Sequence, residues 1–421
     1  MLDIKFIKEN ADLIKGAAKK KHLDFDLDEL LAADENRLKT LSLVESFRAE
    51  QNGMNDKVAS ASSSERGKLI SEMKILKERL RQKEDELKEV TRNWQLLMLR
   101  VPNIPDMSVP DGASDADNVE VRVWGKPPKF SFEPRSQTDL LEKNNWVDFE
   151  RGAKTAGFRG YFLKNEAVKL NFALFNFALD FFSKRGFSPM MAPILVRREV
   201  FVGTGYLPQG EDDLYKTQDG DFLAGTAEVP IMGYHMDEVI DLKDLPIRYL
   251  GFSPCYRREA GSHGKDTKGL IRVHEFFKFE QVILCEASHE ESVKLHEEIT
   301  RNSEELMQAL GLPHRVVVNC GGDLGLGQVK KYDIEAWVPS ENKYRETHSS
   351  SYFHDFQTRR LNIRYRDKDG KLRFAHSLNN TAMATPRLLA SIIENYQRED
   401  GSIGVPEALK PYLDASELKG N

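Results

Sequence analysis

Cysteine is scarce: Cys255, Cys285 and Cys320 are the only three in 421 residues, and they stand far apart with no CxxC pair. That excludes a disulfide framework and a zinc knuckle, and leaves buried free thiols as the expectation. Long hydrophobic runs are missing too. No stretch reaches the roughly 18 apolar residues a membrane helix needs, and the most apolar one, from Asn171 to Phe182, is broken by Asn171, Asn176 and Asp180. No membrane contact is expected. The opening MLDIKFIKENADL carries Asp3 and Glu9 where a secretory signal would be basic and then apolar, so a cytoplasmic location is expected. Nor is there an excess of basic charge. With 61 Lys and Arg against 67 Asp and Glu, the formal charge is −6, and any nucleic-acid contact has to come from local basic surface.

What is present is enough chain for more than one structural unit, with 40% hydrophobic residues to fill a substantial core. From Leu69 the apolar positions Leu69, Met73, Leu76, Leu80, Leu87, Val90, Trp94 and Leu97 follow a heptad seam. An earlier stretch carries Leu27, Leu31, Leu38, Leu41, Val44, Phe47, Met54 and Val58 on a less regular stripe, and the serine-rich segment from Ala59 to Glu65 separates the two. Two long amphipathic helices with one polar connector are expected to fold back as an antiparallel coiled coil, since each needs a partner for its apolar stripe. At about 1.5 Å per residue the second helix would be roughly 45 Å long, and it is expected to project from the rest. Its outer face mixes Lys74, Lys77, Arg79, Arg81, Lys83 and Lys88 with acids, a pattern that suits a solvated coiled-coil face as well as a phosphate-binding one.

The Pro-, Asp- and Gly-rich stretch from Val101 to Asp117 reads as a linker. The expected division is therefore an N-terminal domain over 1–100, a linker over 101–117 and a body over 118–421. In the body, FLAGTAEV, IRYLGFSPCY, FFKFEQVILC, HRVVVNC and YDIEAWV read as strands, with helices near Val168 to Lys184 and His289 to Leu310. Strands that cluster between helices, without strict alternation, indicate an α+β class with an antiparallel sheet and flanking helices.

Two segments carry the charges that chemistry needs. Tyr256 to Gln281 reads as a hairpin with a long loop, and Arg257, Glu259, Arg272 and Glu280 sit in or beside its strands, where charge is costly unless paired. Internal salt bridges would explain them. Arginines also suit phosphate and carboxylate, and carboxylates suit an ammonium group or an amino-purine edge. From Ser377 to Gln397, Pro386 fits the first turn of a helix, which puts Arg387 at its N-terminal end beside backbone donors, a good anion site.

Together these segments resemble the second and third motifs of class II aminoacyl-tRNA synthetases, and Leu170 to Pro193 resembles the first, dimer-forming one. Within that class the chain is similar to the seryl-tRNA synthetase family along nearly its whole length. The resemblance is carried by MLDIKFIKEN, TGYLP at 204–208, TAE at 226–228, GLIRVHEF at 269–276, KKYDIEAWVP at 330–339 and DFQTRR at 355–360.

The resemblance implies ATP-dependent activation of L-serine to seryl-adenylate and transfer to the 3′-terminal adenosine of tRNA(Ser), and leaves open tRNA(Sec) as a second substrate. It implies a homodimer with the N-terminal arm on tRNA, and Lys265 to Lys268 at the acceptor end. Thr226, Ala227, Glu228, Glu280 and Thr381 would bind serine. Arg257, Arg258, Glu259, Phe276, Glu346, Thr347, His348, Ser349 and Arg387 would bind ATP, with Arg257 and Arg387 catalytic and Glu346 and Ser349 holding Mg²⁺. The chain departs from the common family pattern at His348 and Tyr352, where serine and asparagine are frequent. It departs again at Asn380, Thr381, Ala382 and Pro386 in the third motif. A catalytically silent tRNA-binding relative would need none of Arg257, Glu259, Glu280, Glu346 and Arg387. An amino-acid:carrier-protein ligase on the same body would lack the arm, and a threonine specificity would leave TAE and GLIRVHEF unexplained.

Overall fold

The computed structural model describes residues 2–261, 264 and 266–420. The chain forms two compact units, one of Met1–Lys19 with Leu23–Pro102 and the other of Lys20–His22 with Asn103–Asn421.

The first unit is helical: α1 (Ile4–Glu9), α2 (Ala11–Lys20), α3 (Leu27–Ser60) and α4 (Ser63–Leu99). Asp26 starts α3 by accepting from the backbone N–H groups of Asp28 and Glu29, which would otherwise be orphaned. α3 and α4 pack antiparallel: Arg37 lies over the Trp94 ring at 4.4 Å, and Arg48 pairs with Glu84 at 2.7 Å further along. On α4, Met73, Leu76, Leu80 and Leu97 are buried as the heptad spacing requires. The α3 stripe differs from expectation. Leu38 points outward at 44% exposure, and Leu30, Asp34 and Thr40 take the inner face. Asp34 is tolerated there because Lys8 and Arg37 pair with it at 2.5 and 2.7 Å, so a satisfied polar site interrupts the apolar pattern. The connector is also shorter than the serine-rich run suggested. Only Ala61 and Ser62 break the helices, and the Ser62 hydroxyl donates to the Glu65 carboxylate at 2.6 Å at the start of α4.

The second unit is built on an eight-stranded sheet of β1 (Val119–Trp124), β2 (Ser188–Met191), β3 (Ile247–Tyr256), β4 (Glu275–Cys285), β5 (His314–Val318), β6 (Lys330–Val338), β7 (Lys343–His354) and β8 (His376–Thr385). Their order across the sheet is β1-β5-β6-β7-β8-β4-β3-β2, antiparallel throughout except for the parallel edge pair of β2 with β3. The α+β antiparallel class expected from the sequence is the one observed. The rear face of the sheet packs on the helices Asn165–Ser183 and His289–Ala309, where Leu170, Leu174, Phe182, Leu295, Ile299 and Phe279 are buried in one cluster.

One expected strand is mostly something else. FLAGTAEV pairs only at Phe222–Leu223, and a helix begins at Glu228. Pro230 fits its first turn, where no N–H is needed. The helix then lies so close over β3 that a Cβ at Gly251 would overlap Ile231 and Ala227, which explains the glycine in mid-strand. Likewise Pro386 is the cap residue of the helix Arg387–Asn395 rather than part of its first turn. All three cysteines are buried and free. No helix among the described residues is long and apolar enough to cross a membrane.

Candidate active site

Strand register decides which side chains meet. Thr381 stands opposite Glu280, Asn379 opposite Val282 and Ser351 opposite Asn379; Lys331 faces Ser351 and Asp333 faces Ser349. Because side chains alternate along each strand, all of these share the front face. A bulge at Thr347 changes the count on β7: His348 pairs with Ile334 while Glu346 pairs with Glu335. The extra residue brings Glu346 round to the same face as Ser349.

Two cavities open on this face. The first, about 60 Å³, is lined by Arg257, Glu259, Arg272, Phe276, Glu346, Ser349, Thr381 and Arg387. It is narrow because ion pairs close across it, Arg272 to Glu259 at 2.5 Å and Arg387 to Glu346 at 3.3 Å. Arg257 lies over the Phe276 ring at 5.3 Å and donates to the Gly225 carbonyl. Glu259 is held at φ 55°, a left-handed conformation that costs a non-glycine residue free energy and fixes its carboxylate toward Arg272. Arg387 leaves the start of its helix to donate to the Ile271 and Glu346 carbonyls. Burial would raise the Glu346 carboxyl, but Arg387, Lys331 and Arg257 around it hold it below its ordinary value.

The second cavity, about 310 Å³, is lined by Thr226, Glu228, Glu280, Tyr206, Asn379 and the loop Gly325–Gln328, among others. Here the charge is buried. Lys278 pairs with Glu280 and donates to the Thr226 hydroxyl at 2.8 Å. Glu228 accepts from Gln357 at 2.6 Å and from the Tyr206 hydroxyl at 3.0 Å. Burial pushes both carboxyls up, against the lowering effect of Lys278 and Arg257 on Glu280 and of Gln357 and Tyr206 on Glu228. Thr381 stands opposite Glu280 across the sheet and lowers its carboxyl. Such a pocket suits a small ligand that is both ammonium and hydroxyl. Arg257, Lys278 and Ser349 border both cavities, so the two sites meet at a cationic junction.

The structure brings together Thr226, Glu228, Glu280, Thr381, Arg257, Glu259, Phe276, Glu346, Thr347, Ser349 and Arg387. Three other expected residues lie elsewhere. Ala227 is in the apolar cluster with Ile231. Arg258 donates to the Asp212 carbonyl at 2.9 Å. His348 faces the rear of the sheet, where burial lowers it to about 3. Of the loop Lys265 to Lys268, Lys265 lies outside the described residues, and Lys268 lines a separate surface cavity with Phe158 and Arg159. Reasoning from residues missed Lys278, Tyr206, Gln357, Asn379 and Ser351. Tyr206 and Gln357 stand inside the TGYLP and DFQTRR segments, whose oddity was the available signal.

The donors fit a hard divalent cation. Glu346 and Ser349 share a face, and beside them Asp333 is buried with one carboxylate oxygen that has no hydrogen bond among the described residues. All three offer oxygen ligands, the kind Mg²⁺ takes.

Residues 1–105 match the family model of the seryl-tRNA synthetase N-terminal domain, and residues 215–396 that of the class II tRNA synthetase core domain (G, H, P, S and T). The serine–tRNA ligase of Deinococcus radiodurans is 49% identical over 421 residues, which cover 100% of this chain and 99% of that protein. That of Thermodesulfovibrio yellowstonii is 44% identical, covering 98% and 99%. The crystal structure of seryl-tRNA synthetase from Pyrococcus horikoshii complexed with ATP superposes with a TM-score of 0.89 at 40% identity, covering 100% of both chains.

The buried pair generates a stability prediction. Lys278→Met leaves Glu280 buried without its nearest cation, a loss of about 3–5 kcal/mol for a pair broken on one side. Burial already raises the folded-state carboxyl of Glu280 above its unfolded value, so stability from this group falls as pH rises past that unfolded value. Removing Lys278 raises the carboxyl further. Thermal melts should therefore show a deficit in Lys278→Met that grows from mildly acidic to neutral pH; a deficit independent of pH would contradict the assignment.

Proposed function

The chain belongs to the seryl-tRNA synthetase family, and we propose that its two joined cavities are the ATP and serine sites of that activity. It is a class II aminoacyl-tRNA synthetase that activates serine with ATP and joins it to tRNA. The observation that carries the site reading is the shared border at Arg257, Lys278 and Ser349, a junction at which a carboxylate in one cavity would meet a phosphate in the other.

Serine's ammonium lies against Glu280 and Glu228, and its hydroxyl is read by Thr381 and Glu280. Arg257 draws the substrate carboxylate and the α-phosphate together. Adenine stacks between Phe276 and Arg387, with Glu259 accepting from its amino group. A carboxylate oxygen of serine attacks the α-phosphorus in line, the bond to the bridging oxygen breaks, and pyrophosphate leaves. No side-chain nucleophile takes part: positioning and neutralisation of phosphate charge by Arg257 and Arg387 lower the barrier. Glu346 and Ser349 would hold Mg²⁺, which supplies further neutralisation of the phosphates when bound. The ribose hydroxyl of the tRNA's terminal adenosine then attacks the adenylate carbonyl and releases AMP. A cytoplasmic location follows from an activity whose substrates are those of protein synthesis.

Serine should therefore support ATP–pyrophosphate exchange far better than alanine, glycine or threonine. Arg257→Ala and Arg387→Ala should each lower that exchange about a hundredfold or more, the scale of a lost transition-state contact, with the fold intact by circular dichroism. Equal exchange with another amino acid, or wild-type exchange in either variant, would remove the assignment it tests.

The helical hairpin is the element for tRNA. Lys74, Lys77, Arg79, Arg81 and Lys88 are exposed along α4 and can hold phosphates without reading bases. Removing residues 44–88 and closing the shortened hairpin with a glycine-rich turn should leave serine-dependent exchange near wild type while tRNA charging collapses. Undiminished charging by the shortened enzyme would make the arm a structural coiled coil.

The enzyme is a two-fold homodimer through the helix Asn165–Ser183 and edge strand β2. An apolar hollow of about 400 Å³ there is lined by Phe172, Phe175, Leu179, Pro189, Met191 and Phe277, with Phe172 at 62% and Met191 at 84% exposure. So large an apolar patch on a sheet edge calls for a partner, and two-fold pairing is the commonest closed solution. Light scattering should give twice the 48.1 kDa chain mass, and Phe172→Asp should halve it; a wild-type monomer at micromolar concentration would refute the pairing.

A further inference from the structure

One wall of the second cavity is the loop Gly325–Leu326–Gly327–Gln328, half of it glycine, and its backbone carbonyls are all taken by Lys21 and Asn103. The ammonium of Lys21 donates to the Gly325 carbonyl at 3.0 Å, to Leu326 at 2.9 Å and to Gln328 at 2.6 Å. Asn103 supplies the rest: its backbone N–H donates to Leu326 at 2.9 Å, and its side-chain amide to Gly327 at 2.9 Å and to Phe353 at 2.7 Å. Within the loop the Gln328 amide accepts from the Gly325 N–H at 2.6 Å and donates to Ser351 at 2.8 Å. The loop also passes so close to Phe356 that a Cβ at Gly327 would overlap the ring.

Lys21 is 2% exposed and Asn103 3%. A buried lysine is expensive, and an apolar side chain would be cheaper to bury. What the ammonium offers is three donors on one atom, enough to collect three carbonyls, of which only Leu326 has a second donor, the Asn103 N–H. Two glycines would give this segment many backbone conformations, and the carbonyl clamp leaves it one. Burial lowers the Lys21 ammonium to about 7, which marks how much the site gives up to keep a cation there.

We propose that Lys21, with Asn103, is a positioning residue for serine: it fixes the 325–328 wall of the amino-acid pocket and thereby sets serine affinity without touching the substrate. ATP does not share this wall, since none of the four loop residues lines the first cavity. The two substrates are therefore expected to respond differently.

The test is steady-state pyrophosphate exchange on the full chain carrying Lys21→Met, which keeps the length of the side chain and removes all three donors. The serine KM should rise about tenfold, the effect of roughly one lost hydrogen bond's worth of order in a binding site, while the ATP KM stays within twofold. Lys21→Gln, with two donors, should fall between. A serine KM within twofold of wild type, or an ATP KM that rises in step, overturns the proposal. If Lys21→Met does not fold, Asn103→Ala decides on the same split. The inference rests on this cavity being the serine pocket, and Glu280→Gln reports on that separately. If Glu280→Gln leaves the serine KM unchanged, the pocket reading fails; if it raises the KM and Lys21→Met does not, the clamp alone fails.

Discussion

The Lys278–Glu280 ion pair on β4 is the interaction around which the site is arranged. A charged pair in the middle of a sheet costs desolvation on both partners, and an apolar pair of similar size would fold at least as well. The surrounding structure keeps it tolerable: Lys278 donates onward to Thr226, Thr381 faces Glu280 across the sheet, and neighbouring Glu228 is held by Gln357 and Tyr206. Each partner comes from a different segment, so satisfying one ion pair fixes the relative placement of strands β4 and β8, the helix at Glu228 and the helix at Phe356. A zwitterionic substrate has the same needs as that network, and on the proposed reading a stability cost and a binding function would coincide here.

Two β-bulges decide which residues belong to that network. The one at Thr347 turns Glu346 to the front, and the one between Thr381 and Met383 returns the strand to register beyond Thr381. The register also places several of the family departures seen in the sequence. His348 and Tyr352 lie on the rear face, Tyr352 donating to Asp106 at 2.7 Å. Asn380 lies there too, accepting from Gln281 at 2.7 Å. Three unusual residues thus fall in the packing behind the sheet, where Tyr352 meets the His296 ring and Asn380 meets Ser303 on the helix His289–Ala309. Pro386, by contrast, does line the first cavity.

The sheet strands and the long helices were legible because periodicity records burial on one side. The strand from Ile247 to Tyr256 and the α4 seam could be read directly. The α3 stripe was harder, since two polar residues, Asp34 and Thr40, are buried on it, Asp34 through ion pairs that have no sequence period. For the site, arginines and carboxylates on adjacent strands advertised themselves as charges out of place. Lys278 and Asn379 did not: their meaning depends on register across the sheet, a long-range property set by bulges and by partners up to a hundred residues away. Ala227, Arg258 and His348 show the converse. They stand next to functional residues in sequence, and their side chains point elsewhere.

The placement of Lys21 bears on how the two units can be separated at all. Lys20–His22 runs from the last residue of α2 into the connector to α3, between two stretches of the first unit, yet its contacts belong to the second. A cut near residue 100 therefore does not free a complete catalytic body. It takes away the cation that holds three carbonyls of the pocket wall, and leaves those of Gly325 and Gln328 without that donor while Leu326 keeps only the Asn103 N–H. Poor serine activation by such a fragment would say nothing about the hairpin's part in catalysis, because the lost function would belong to residue 21. Shortening the hairpin beyond Val44 keeps Lys21 and Asn103 in place, and only then does a difference between serine activation and tRNA charging report on the arm itself.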